Sequence, residues 1–207
     1  MWMGMWPQAA IYIPWYLWVA SWIAASFWAN RTVTRAGAAR EWPYRVLEYG
    51  GFFMLLFYFV DNGQPALTGS PVWDFLMHRY WLLPLNVNWA MVGVAALGFA
   101  FCWWARLHLG RLWSGFITRK EDHRIVDSGP YAIVRHPIYT GVLVAALATM
   151  AVKGTGHAIV GVLMLIVGYW MKARLEERFL REQLGAEAYD SYRRRVPMLI
   201  PFGPKGA

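Results

Sequence analysis

Five apolar runs, separated by loops of unequal charge, constrain this chain more than any other feature. They lie at about Ala9 to Ala29, Val46 to Val60, Trp89 to Ala105, Ile138 to Val152 and Ala158 to Ala173. A helix rises 1.5 Å per residue, so runs of about 15–21 residues approach the thickness of a hydrocarbon core. The second and fourth are short and need flanking residues to complete them. So many long runs exceed what one soluble core absorbs. Charged residues make up only 15% of the chain, against about 25% in ordinary soluble domains. The expected fold is an all-α integral membrane protein with about five transmembrane helices, forming a single membrane domain over residues 1–207. Residues 1–105 hold three of the helices, and residues 106–207 hold two helices and an amphipathic tail.

The loops orient these runs. Arg31, Arg35, Arg40 and Arg45 follow the first run, and Arg106, Arg111, Arg119, Lys120, Arg124 and Arg135 follow the third. The tail carries Arg174, Arg178, Arg181, Arg193, Arg194, Arg195 and Lys205. The second loop has only Arg79, the fourth only Lys153, and the first ten residues carry no charge. Basic side chains stay on the cytoplasmic side, so the N-terminus is expected outside and the C-terminus in the cytoplasm. The net charge of +8 is explained by this orientation, and no nucleic-acid partner is expected. The first run lacks a basic n-region and is read as a retained helix. The outer loop, residues 61–88, reads as an interfacial segment. Gly93, Gly98, Gly161 and Gly168 read as helix-packing positions.

The chemistry-bearing stretch begins at the end of the third run with Leu109-Gly110-Arg111-Leu112-Trp113-Ser114. Ser128-Gly129-Pro130-Tyr131 follows, then Arg135-His136-Pro137-Ile138-Tyr139-Thr140-Gly141 at the opening of the fourth helix. The fifth run leads into Glu176-Glu177, and the chain closes with Tyr189, Tyr192, Arg193-Arg194-Arg195-Val196-Pro197 and Phe202. Pro137 suits the first turn of a helix, where its missing N–H costs little. His136 and Tyr139, three apart, share a face. A helix N-terminus favours an anionic group. Two carboxylates at a helix C-terminus are unfavourable unless the helix continues into water or meets a cation. A ligand with a carboxylate and cationic centres satisfies both ends, and the methionine half of S-adenosylmethionine is such a ligand. No Gly-x-Gly-x-x-Gly element supports a Rossmann cofactor site.

The Gly-Pro-Tyr element, the Arg-His-Pro-x-Tyr-x-Gly element, the Glu pair and the Tyr-x-x-Tyr-x-x-Arg-Val-Pro ending together resemble the isoprenylcysteine carboxyl methyltransferase family. Related membrane phospholipid methyltransferases share the Arg-His-Pro element and the Glu pair. The resemblance spans roughly Trp104 to Phe202. It implies an S-adenosylmethionine-dependent methyltransferase with its cofactor on the cytoplasmic side. Carried over by motif, Gly129, Tyr131, Arg135, His136, Pro137, Tyr139 and Gly141 line the cofactor site. Glu177, with Glu176, takes the cofactor's ammonium end. Arg135 and His136 are the expected catalytic residues; apart from the resemblance, the planar guanidinium fork suits one of Arg193, Arg194 and Arg195, with Arg193 put forward, or Arg174, to hold a substrate carboxylate. A lipid-tailed substrate, such as a prenylated cysteine, enters laterally from the bilayer and keeps its tail among membrane lipids.

Two other acceptors fit the same motifs, a phospholipid amine and a small hydrophobic thiol. A non-enzymatic membrane protein is the alternative from another class. No metal is expected, because His108 and His123 with Glu121 and Asp122 fit no zinc spacing, and the single Cys102 excludes a Cys-based site. Glu48, acidic within a span, is a second-tier functional candidate.

Overall fold

A computed structural model describes residues 6–27, 32–35, 37–56, 70–114, 117–120 and 125–205. Arg31, the end of the second run at residues 57–60, the outer-loop stretch 61–69 and the Glu121–Arg124 segment lie outside the described residues. Helices α1 (Trp6–Ala10) and α2 (Tyr12–Ser26) form one nearly continuous rod. Its break at Ile11 has a local cause: Pro14 has no N–H to give the Ala10 carbonyl. Then come α3 (Ala38–Leu56), α4 (Pro71–Met77), α5 (Leu85–Leu109), α6 (Pro130–Ile133), α7 (Pro137–Lys153), α8 (Gly156–Leu184) and α9 (Ala186–Arg195).

Among the described residues, three helices are long and apolar enough to cross a membrane: Pro7–Ser26, Leu85–Leu112 and Gly156–Leu184. The α7 helix is apolar but shorter, at 17 residues. The α3 helix is 19 residues long and carries Glu41, Arg45 and Glu48 among its apolar positions. Large apolar side chains stand exposed on α2 (Tyr16, Leu17, Ile23), α5 (Leu97, Trp104) and α8 (Leu163, Val167, Trp170). Apolar surface of that extent is a liability in water and natural against lipid.

The bundle is built from two helix pairs, α5 with α7 and α3 with α8. Small residues make both close approaches possible. A Cβ on Gly98 would meet the Gly141 carbonyl at 2.6 Å, and one on Gly51 the Gly161 carbonyl at 2.8 Å. Gly168 packs against Leu47 and Glu48, whereas Gly93 has open space around it. Trp15 holds α2 to the pairs, its ring against Phe52 and Phe99 and its Nε1 donating to Thr149 Oγ1 at 2.9 Å.

The two ends of the bundle are tied separately. At one end β1 (Thr32–Arg35) pairs antiparallel with β2 (Thr118–Lys120), joining the α2–α3 and α5–α6 connections. These short strands interrupt an otherwise all-α fold. At the other end Arg79 bridges Thr155, and the Tyr80 N–H donates to the Gly154 carbonyl at 2.7 Å. The connections therefore alternate between ends, as antiparallel helices require. The helix that holds the fifth apolar run continues past Ala173 to Leu184, one of the two outcomes that the Glu pair suggests. Glu176 and Glu177 sit inside a continuous helix, which removes the electrostatic cost of a C-terminal carboxylate pair.

Candidate active site

The site forms where the N-terminus of α7 meets α8 and the C-terminal tail. His136 is the N-cap of α7 and Pro137 its first residue. Ahead of them, Gly129 takes φ +57, a conformation natural to glycine. Any Cβ there would strike the His108 ring. This bend sets Pro130 and Tyr131 into the short α6 and turns the chain toward α7.

The tail is clipped over this turn by backbone bonds. The Arg135 N–H donates to the Pro197 carbonyl at 2.9 Å, and the His136 N–H to the Met198 carbonyl at 3.1 Å. Thr140 Oγ1 donates to the Leu199 carbonyl at 2.6 Å, and Tyr192 Oη to the Tyr131 carbonyl at 2.7 Å. Tyr189, Tyr192 and Val196 form a small buried cluster beneath. Burial pushes the Tyr131, Tyr189 and Tyr192 hydroxyls up from their ordinary range, with Glu176 adding to the shift at Tyr131 and both Glu176 and Glu177 at Tyr189. All three stay neutral.

The charged residues divide into two layers. Glu177 is 5% exposed and lies behind the cavity. Its carboxylate sits 2.7 Å from Arg135 Nε, 3.2 Å from His136 Nε2 and 3.5 Å from Arg193 Nε. Arg135 also donates to the carbonyls of Arg193 at 3.1 Å and Val196 at 2.5 Å. Glu176 forms the front layer. It accepts from Tyr139 Oη at 2.6 Å and lies 3.7 Å from His136 Nδ1. The His136 ring is thus held between the two carboxylates and stacks on Tyr139, centroids 5.2 Å apart and planes 4° from parallel.

In front of this layer lies a cavity of about 400 Å³. Tyr131, Arg135, His136, Tyr139, Glu176, Tyr189 and Tyr192 line one end. Leu109, Leu112, Ile125, Leu180 and Leu184 give it an apolar wall. The other end reaches between α2, α3 and α8, where Trp18, Trp22, Glu48, Tyr169 and Lys172 line it.

Several motif residues lie elsewhere. Gly141 lies at the α5–α7 crossing, where a Cβ would collide with the Gly98 carbonyl and Cys102 Sγ. Gly129 shapes the bend against His108. Arg174 lies over the Trp170 ring at 5.3 Å, and Arg193 pairs with Asp190 and Glu177. Both arginines line a separate groove, with Arg40 and Arg178, on the far side of Glu177. Sequence reasoning missed Trp18, Trp22, Tyr169 and Lys172 as cavity residues. Lys172 carried a usable signal, an ammonium inside an apolar run; the aromatic residues looked like any interfacial ring. Among the described residues no cluster of three His, Cys, Asp or Glu side chains is arranged to hold a metal.

Comparison with known proteins bears on this arrangement. Residues 91–182 match the model of the isoprenylcysteine carboxyl methyltransferase family. The chain is 33% identical over 106 residues to protein-S-isoprenylcysteine O-methyltransferase of Schizosaccharomyces pombe, covering 48% of this chain and 43% of that protein. It is 30% identical over 138 residues to the cobalt-zinc-cadmium resistance protein CzcN of Cupriavidus metallidurans, covering 65% of this chain and 56% of the relative. Methanethiol S-methyltransferase 2 of Bradyrhizobium diazoefficiens is 44% identical over 72 residues, which is 34% of this chain and 26% of the relative. The chain spans about half the length of the first two relatives and about a quarter of the third. The matched segment holds the bend at Gly129, the α7 N-terminus and the Glu pair.

Proposed function

We propose that this protein is an integral membrane methyltransferase that takes S-adenosylmethionine at the motif-lined end of the cavity. The observation that carries the reading is one continuous cavity whose lining combines the polar motif residues of α6, α7 and α8 with aromatic side chains of α2 and α8. Its volume of about 400 Å³ falls within the range of small-molecule sites.

The residues present fit the cofactor. Glu176 is the cavity-facing carboxylate for an ammonium, its side chain 30% exposed. The neutral tyrosines 131, 189 and 192 and the leucine wall suit an adenine ring. Glu177 fixes Arg135 and His136 from behind, so it acts on the site through them. Gly129 and Gly141 act through backbone shape and helix approach, Pro137 by starting α7, and Arg174 and Arg193 beside the basic groove. The cofactor supplies a methyl group carried on a sulfonium. The chain's part is to align the acceptor with that methyl and to exclude water. The tail clip over the α7 N-terminus provides the exclusion.

The acceptor class proposed is a lipid-tailed carboxylate such as a prenylated cysteine, with a small hydrophobic thiol second. The names of the Schizosaccharomyces and Bradyrhizobium relatives support both. We place the N-terminus outside and the C-terminus in the cytoplasm, with α3 and α7 spanning beside the three longer rods. The pairing of β1 with β2 supports this, since it puts two arginine-rich connections at one end.

Calorimetric titration of the detergent-purified protein with S-adenosylhomocysteine tests the assignment. Saturable binding is expected, weakened about tenfold or more by Glu176→Gln, because a charge-assisted hydrogen bond contributes about 1.5–3 kcal/mol. No heat of binding in a folded sample would overturn it.

A further inference from the structure

At the aromatic end of the cavity, α8 sends Lys172 toward α3. Its Nζ lies 3.4 Å from Glu48 Oε1. It also lies 5.5, 5.1 and 5.7 Å from the ring centres of Tyr44, Tyr139 and Tyr169. Three tyrosine faces around one ammonium stabilise its charge. The pair is buried, side chains 14% and 9% exposed, yet among the described residues Glu48 Oε1 accepts no well-aligned hydrogen bond beyond this long contact with Lys172. An incompletely satisfied ion pair within a helix bundle is expensive. Both residues line the cavity, so a ligand there can complete what the protein leaves open.

Tyr139 links this pair to the other end. Its ring lies under Lys172 Nζ, its face stacks on His136, and its hydroxyl donates to Glu176. The Lys172 ammonium therefore stands one tyrosine away from the carboxylate assigned to the cofactor.

We propose that Lys172 is the positioning cation for an anionic methyl acceptor, a carboxylate or a thiolate. Glu48 holds the ammonium in place while the acceptor site is empty. The inference rests on the methyltransferase reading and names its substrate chemistry. The acceptor's anionic oxygen or sulfur forms a bond to the methyl carbon. The carbon–sulfur bond to the sulfonium breaks, and its electron pair stays on sulfur. An ester or thioether and a neutral sulfide result, no proton is transferred, and one positive and one negative charge disappear. The neutral product no longer pairs with Lys172, so the same cation that gathers the acceptor lets the product go. An amine acceptor gains nothing from an ammonium at this position.

The test is direct binding, without cofactor, of two matched pairs to the full chain in detergent: N-acetyl-S-farnesylcysteine against its methyl ester, and dodecanethiol at alkaline pH against its methyl thioether. The expected result is at least tenfold tighter binding of the anion in one or both pairs. The two pairs distinguish a carboxylate from a thiolate source. Lys172→Gln should erase that preference while S-adenosylhomocysteine affinity stays within about twofold. Lys172→Arg should retain part of it. Lys172→Gln leaves Glu48 buried and unpaired, so the double variant with Glu48→Gln gives a folded control and should also lose the preference. Equal binding of anion and neutral partner in both pairs, including no binding of either, overturns the proposal. So does a preference that survives in the double variant. Failure of the wild-type chain to bind S-adenosylhomocysteine would instead sink the methyltransferase reading, which the acid-to-ester ratio does not measure.

Discussion

Replacing Glu177 with Gln separates a residue that builds the site from one that touches the ligand. Three cationic or potentially cationic groups converge on this carboxylate, at 2.7 Å (Arg135), 3.2 Å (His136) and 3.5 Å (Arg193). Removing the charge of one partner in a buried pair costs about 3–5 kcal/mol. Gln keeps an oxygen for Arg135 Nε, and Arg135 keeps the carbonyls of Arg193 and Val196. The lower end, about 3 kcal/mol, therefore applies. Arg135 and His136 are also the residues whose backbone N–H groups hold the tail through Pro197 and Met198. The loss thus falls on docking of the tail. At about 1.4 kcal/mol per factor of ten, tail opening should rise roughly a hundredfold. Amide hydrogen exchange on the protein in nanodiscs reads this directly. Peptides from residues 186–200 should lose about two orders of magnitude of protection, while α5 peptides remain unchanged. Wild-type protection of the tail, together with abolished S-adenosylhomocysteine binding, would refute the reasoning and make Glu177 a direct ligand contact.

Two further outcomes follow from packing and topology. Gly141→Ala should lower stability by about 1–3 kcal/mol, the usual cost of overpacking a tight contact. Gly93→Ala, with open space around it, should leave unfolding in mixed micelles unchanged, and equal effects from the two would count against the α5–α7 seam. Cysteines introduced singly at Leu82 and Lys205 test the orientation with a membrane-impermeant maleimide. Leu82→Cys should label in intact cells and Lys205→Cys only after permeabilisation, with the buried native Cys102 silent in both; labelling of both from one side would overturn the three spans placed between them.

Much of this protein was legible in its residues because the signals are local. Apolar runs long enough to cross a bilayer are a one-dimensional property, as is the asymmetry of arginines between loops. Pro137 marked the start of α7 because its ring and missing N–H cost least in the first turn of a helix. Gly98, Gly161 and Gly168 announced helix seams, although Gly93, identical in sequence terms, faces open space. The motif residues also pointed to one end of the bundle, where the tail and the α7 N-terminus meet. The order of residues pointed to Glu177 first for the cofactor's ammonium, whereas Glu176 is the glutamate that lines the cavity. Neighbours on a helix point about 100° apart, and only the packing of α8 against α7 and the tail turns Glu176 forward and Glu177 back. The same holds for Lys172. Its three tyrosines come from α3, α7 and α8, and Glu48 is far from it in sequence, so the cage exists only once the helices are assembled. Periodicity and charge act along the chain and decide which segments become helices. Side-chain direction across helices depends on how the rods rotate against one another, and in this protein that rotation builds the site.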